Sequence, residues 1–182
     1  MKKNSLSWIT TLLLVMAAFV LPNTVSAQSD KDKELIGDSE KARAEFIKSD
    51  GLMQGVFDKA VGYVIFPNVG KGAMGVGGAA GNGILFEGGK PVGSAKLKQV
   101  SVGFQFGGQA YREVIFFENK AALDRFKEDK FEFSAQASAV AVTKGASADA
   151  KYRDGVMVFT QEKGGLMYEA SVGGQKFSFD KF

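Results

Sequence analysis

The chain has 182 residues, 45% of them hydrophobic, with a formal net charge of +3 and neither histidine nor cysteine. Lacking those two residue types, it is excluded from the usual zinc sites, Ser-His-Asp and Cys-His nucleophile systems, haem ligation and disulfides. The acids are scattered along polar faces, so composition speaks against a familiar enzyme, and no cofactor is expected.

The N-terminus reads as an address. Lys2 and Lys3 precede an apolar run over residues 9–21, and Val25-Ser26-Ala27 forms a small-residue cleavage site, the pattern of a signal peptide over residues 1–27. The run is shorter than the roughly 20 residues of a spanning helix, and Pro22 closes it. Cleavage near Ala27 predicts export, to the periplasm or beyond the cell. It leaves residues 28–182 as a single domain, with a helical part over 28–60 and a β-rich part over 61–182. Cleavage also removes two lysines and no acid, so the net charge falls from +3 to +1. Binding to nucleic acid is therefore not expected.

Residues 29–49 are highly charged but place Leu35, Ala42 and Phe46 at helical spacing, with Ser29 or Asp30 as a cap and Ser49-Asp50-Gly51 as a stop. A shorter helix follows over 52–60, carrying Leu52, Met53, Val56, Phe57 and Ala60 on one side. The pattern then turns to β. Tyr63-Val64-Ile65-Phe66 reads as a strand ended by Pro67. Asn82-Gly83 offers a two-residue hairpin turn into Ile84-Leu85-Phe86, and Gly88-Gly89 with Pro91 marks another turn. Residues 100–106 alternate as a half-buried strand, and Val114-Ile115-Phe116-Phe117 suits a central one. Asn119 caps a helix over 120–130. Residues 131–142 alternate again, and 144–154 read as loop. The last strands are 156–160 and 166–172, paired across Lys163-Gly164-Gly165, then 176–180 after Gly173-Gly174. The expected fold is α+β: N-terminal helices, then a mostly antiparallel, strongly curled or barrel-like sheet system with one inserted helix.

The most constrained stretch is 61–83, with seven glycines in residues 70–83. Gly75-Val76-Gly77-Gly78-Ala79-Ala80 matches the GxGxxA dinucleotide fingerprint in form. That motif needs a following helix whose N-terminus meets the pyrophosphate, and an acid about 20 positions on. A β pattern follows instead, and Lys96 and Lys98 occupy the acid's region. The glycines read better as positions that let a backbone or an aromatic ring approach closely.

Several motifs in order carry a family resemblance. Ala60 to Pro67 (AVGYVIFP), the glycines of 75–83, Ser101-Val102-Gly103-Phe104-Gln105-Phe106-Gly107-Gly108-Gln109, the apolar run 114–117 with its following helix, residues 133–142 with Gly145, and Lys163-Gly164-Gly165-Leu166 together resemble the SYLF (Ysc84 actin-binding-like) domain across residues 35–180. The resemblance implies lipid binding without enzymatic activity. Eukaryotic members bind phosphoinositides, and some bind actin; bacterial members are exported single-domain proteins described as lipid-binding. With a signal peptide and no partner module, this chain is expected to meet anionic phospholipid rather than actin.

Charge and amphipathicity, rather than any motif, nominate Lys59, Lys71, Lys96 and Lys98 for contact with an anionic membrane surface. The same reasoning nominates Leu52, Met53, Val56 and Phe57 for shallow insertion. The alternative is a structural or protein-interaction role in the envelope, with self-association through an exposed sheet edge or the charged N-terminal helix. An enzyme built on Tyr63, Tyr111, Glu113 and Asp154 is a third class, with nothing in the spacing that places them together. No residue set suggests a metal site.

Overall fold

The computed structural model of the protein describes residues 29–71, 78–100, 110–134, 138–163 and 170–182. Among them stand three helices, α1 (Asp30–Ser49), α2 (Met53–Lys59) and α3 (Lys120–Lys127), and eight strands. The strands are β1 (Gly62–Lys71), β2 (Gly78–Glu87), β3 (Lys90–Val100), β4 (Ala110–Phe117), β5 (Ser138–Ala141), β6 (Val156–Glu162), β7 (Ala170–Ser171) and β8 (Gln175–Lys181). The expected leader, all but Val100 of the strand expected at 100–106, and the signatures at Gly75, Ser101 and Gly164 lie outside the described residues.

The α+β expectation holds, with two corrections to the sheet. The strand order is β7-β5-β6-β4-β1-β2-β3-β8. β5 runs parallel to β6 while the other ladders are antiparallel, so the sheet is mixed. It is also open rather than strongly curled or barrel-like: its order ends at β7 and β8, and no ladder among the described residues joins them. β5 meets β6 only at Val140↔Phe159 and Ala141↔Thr160, and the stretch 131–134 meets β8 through one bridge, Glu132↔Lys176.

The apolar runs 63–66 and 114–117 are continuous because both faces of the central strands are covered. On one face Tyr63, Ile65, Ile84, Phe86, Val114 and Phe116 pack under Ala42 and Phe46 of α1 and Met53 and Phe57 of α2. On the other, Val64, Phe66, Leu85, Ile115 and Phe117 pack under Leu123 and Phe126 of α3 with Phe131, Phe133 and Phe177. Edge-to-face rings tighten both layers, for example Phe57 against Phe116 at 4.8 Å and Phe131 against Phe133 at 5.1 Å.

Local chemistry explains where the helices start. Ser29 and Asp32 form a capping box on α1. The Asn119 side chain accepts from the Ala122 N–H at 3.0 Å to start α3. α1 stops at Asp50, whose carboxylate accepts from Leu52 N (3.1 Å) and from Ser147 N (2.9 Å) and Oγ (2.6 Å). Those bonds hold the carboxyl below the usual range against the opposing effect of burial.

Four strand expectations change. Pro67 does not end β1; the register shift between Ile65 and Asn68 absorbs its missing N–H, and the strand runs on to Lys71. Asn82-Gly83 is no turn, since Asn82 pairs with both Asn68 and Lys96 in mid-strand. The hairpin turn lies instead at Gly88 and Gly89, both with positive φ. β7 pairs with β5 rather than with β6. Finally, β3 was hidden by short and charged residues, although Ala95, Leu97 and Gln99 alternate inward between exposed Lys96 and Lys98.

The glycine reading is upheld at Gly83. A Cβ there would overlap the Ile65 carbonyl oxygen and lie 2.6 Å from the Phe66 ring. Gly83→Ala is therefore expected to lower unfolding stability by about 1–3 kcal/mol. Gly70→Ala, with nothing within 4 Å of its Cβ, should change it by no more than about 0.5 kcal/mol. Urea denaturation of the two variants measures the difference.

Candidate functional site

The structure disperses the residues nominated from sequence. Met53 and Phe57 turn into the core, at 0% and 4% exposure, so they are not free to insert into a bilayer from the folded state. Val56 is half-buried, and Leu52 is 56% exposed beside exposed Lys59. Lys96 and Lys98 stand exposed on β3, and Lys98 lies directly opposite Lys176 of β8. Lys96 pairs with Asp180 at 3.0 Å and Lys176 with Glu132 at 3.3 Å, whereas Lys98 has no ion pair among the described residues. The backbone of Lys71 pairs with Ala79 in the row of Gln99 and Gln175, one row away from Lys98.

Lys59 leads into the start of β1, while Lys98 is level with Gly70 through Ala80. At about 3.3 Å per residue, the two ends of β1 are roughly 30 Å apart. The short apolar helix and the β3 lysines therefore do not form one patch. Nor is α1 a detachable arm, because Ala42 and Phe46 are part of the core.

What the fold does assemble is a groove of about 800 Å³ at the open edge of β6. β5 covers only Phe159 and Thr160 of that strand, so beside Met157 and Val158 no ladder among the described residues fills the gap. The stretch 131–134 and the turn 149–154 form the opposite walls. Its apolar lining includes Phe131, Phe133, Ala139, Val140, Val156 and Val158. The rim carries Arg125, Lys130, Lys151 and Arg153 together with Glu132, Asp149 and Asp154. Arg125 donates to the Asp154 carbonyl at 2.7 Å, which ties α3 to the turn before β6. Lys130 pairs with Glu128 at 2.7 Å, while Lys151 and Arg153 have no ion pair among the described residues. An apolar lining under a charged rim is the arrangement that accepts an amphiphile. The sequence signals for it were the Phe131/Phe133 alternation and the charges of 144–154, which lie far apart in the chain.

The proposed catalytic quartet does not assemble. Tyr63 lies on the helix-covered face, and Asp154 sits in a surface turn with φ 51°. Tyr111 and Glu113 share the other face, where Gln175 of β8 donates to Glu113 Oε2 at 3.0 Å and to Tyr111 Oη at 3.3 Å. Glu113 is fully buried, and burial pushes its carboxyl up to about 8 despite the Gln175 hydrogen bond. Such a group holds its proton at neutral pH and joins β4 to β8. Among the described residues, no cluster of three or more acids can hold a metal ion.

The linkage has a definite sign. The unfolded chain releases the Glu113 proton near pH 4.5 and the native chain near 8. Stability therefore falls as pH rises between those values and levels off above them. Glu113→Gln should flatten this slope and stabilise the protein by about 3 kcal/mol at pH 7. Urea midpoints of the two proteins from pH 5 to 9 test it.

A family model described as "Ysc84: Las17-binding protein actin regulator" matches residues 98–181. Beta cell expansion factor A of Aeromonas veronii is 31% identical over 127 residues, which are 69% of this chain and 48% of that protein. The chain thus spans about half the length of this curated relative.

Proposed function

Because the chain belongs to the Ysc84 (SYLF) family, we propose that it is a non-enzymatic module, exported after removal of residues 1–27, that binds anionic phospholipid. The observation that carries this reading is the groove of about 800 Å³ beside β6, lined by apolar side chains, with Lys151 and Arg153, which have no ion pair among the described residues, at its rim. Burying an acyl chain there is favoured by about 0.8 kcal/mol per methylene. A cation near an anionic membrane surface adds about 1 kcal/mol. Lys98, Lys96 and Lys59 provide further surface attraction, and Lys71 stands in the neighbouring row of the sheet. Exposed Leu52 and Val61 offer a shallow apolar contact at the α2 end. No described helix is long and apolar enough to cross a membrane.

Ser134 is exposed at the groove wall. Ser134→Trp is expected to fill the space and displace lipid that co-purifies with the mature protein, measured by mass spectrometry. Lys151→Gln with Arg153→Gln is expected to weaken co-sedimentation with vesicles containing phosphatidylglycerol, leaving the weak retention by pure phosphatidylcholine unchanged. Equal binding of the native protein to both vesicle types would sink the anionic-lipid reading. Binding to neither vesicle type would favour the alternative of an envelope interaction protein without lipid dependence.

A further inference from the structure

A second polar concavity lies on the opposite face, between α1 and the sheet. It encloses about 360 Å³ between Leu35, Asp38, Lys41 and Ala42 of α1 and Pro67 and Asn68 of β1, Asn82 of β2, Arg112 of β4 and Lys163 just past β6. Arg112, Asn68 and Asn82 reach it for one reason. Arg112 and Asn82 stand two residues from Val114 and Ile84, which pack under the helices, and Asn68 stands three from Ile65 because the bulge between them adds one residue.

Arg112 is aimed by a relay. Its Nη1 donates to Gln161 Oε1 at 3.0 Å, and Gln161 Nε2 in turn donates to Ser49 Oγ at 2.6 Å and the Glu45 carbonyl at 3.3 Å. The C-terminal turn of α1 therefore fixes the guanidinium, whose other N–H groups have no hydrogen-bond partner among the described residues. Lys163 Nζ faces Asn68 Oδ1 at 3.4 Å, which leaves the Asn68 amide N–H₂ free to donate. Neither Arg112 nor Lys163 has an ion pair among the described residues. The acid in the pocket, Asp38, is already paired with Lys41 at 3.0 Å. Burial, then the Arg112 charge, holds the Lys163 ammonium below its ordinary range, with Asp38 opposing. Two cations thus share one concavity in which Asp38, the acid among its described lining residues, is already engaged by Lys41.

We propose that this concavity is a binding site for a phosphate-class oxyanion, held by the Arg112 guanidinium and the Lys163 ammonium with the Asn68 amide as a third donor. A tetrahedral dianion relieves the repulsion between the two cations, and the planar guanidinium fork matches two of its oxygens. The Gln161 relay is a positioning device, since it touches Arg112 and not the anion. The oxyanion can arrive as free phosphate or as the phosphomonoester headgroup of a lipid. Only the second source rests on the lipid reading above.

Titrating the mature protein with inorganic phosphate, followed by ³¹P NMR, tests the pocket without any lipid. Co-sedimentation with phosphatidylcholine vesicles, with and without phosphatidic acid, tests the headgroup source. Arg112→Gln combined with Lys163→Gln is expected to weaken binding at least roughly tenfold in the arm that shows it. Gln161→Leu should give a smaller loss while leaving both cations in place. Lys90→Gln, a cation outside the pocket, should change nothing, and circular dichroism of each variant confirms the fold. Phosphate binding lost in the double variant supports a free anion. Binding seen only with phosphatidic acid, and lost in the same variant, supports the headgroup. No binding in either arm, or binding indifferent to Arg112 and Lys163, overturns the proposal. The phosphate arm and the groove variant Ser134→Trp vary independently, so failure of this pocket and failure of the lipid reading are separately visible.

Discussion

Two-sided burial of β1 and β4 is the constraint on which the rest of the structure depends. Val64, Ile65, Phe66, Val114, Ile115, Phe116 and Phe117 are all without solvent exposure. A strand buried on both faces needs apolar side chains at every position, and it needs a cover on each side. α1 and α2 supply one cover; α3, the stretch 131–134 and β8 supply the other. The glycines of β2 follow from the same demand. Gly83 lets β2 lie against the Ile65 carbonyl and the Phe66 ring, so the centre of the sheet packs without a gap.

Function is then pushed to where the covers end. Along β6 the parallel partner β5 is two pairs long, and the shortfall opens a groove lined by residues of the inner layer. At the far end of β1 and β4, the alternation that buries Val114 turns Arg112 towards a concavity between α1 and the sheet. In both places a charged side chain is held by the backbone or side chain of a distant element, Arg125 by Asp154 and Arg112 by Gln161. Such tethers fix direction at modest energetic cost, because each charged group keeps part of its hydration.

The buried Glu113 is the exception to this division of labour. It sits in the inner layer, away from both concavities, and its partner Gln175 begins β8, the last strand of the order. Holding a proton there converts a carboxylate that burial would penalise into a neutral link between strands distant in the sheet.

By itself the sequence determined the elements whose signals are local. The Ser29 and Asn119 caps, the stop at Asp50, the apolar runs of β1 and β4 and the turn before β8 depend on neighbours within a few residues. Those features also made the family resemblance visible. Pairing was decided only by the tertiary structure, because Pro67 in a bulge, Asn82-Gly83 in mid-strand and β7 beside β5 depend on partners elsewhere in the chain. The same holds for the sites. Counting lysines found Lys96 and Lys98 but could not show that Asp180 neutralises one of them. It also could not show that Met53 and Phe57 face inward, or that Arg112 and Lys163, 51 positions apart, line one concavity. A charge becomes a site through what stands within a few ångströms of it, and that distance is set by the fold.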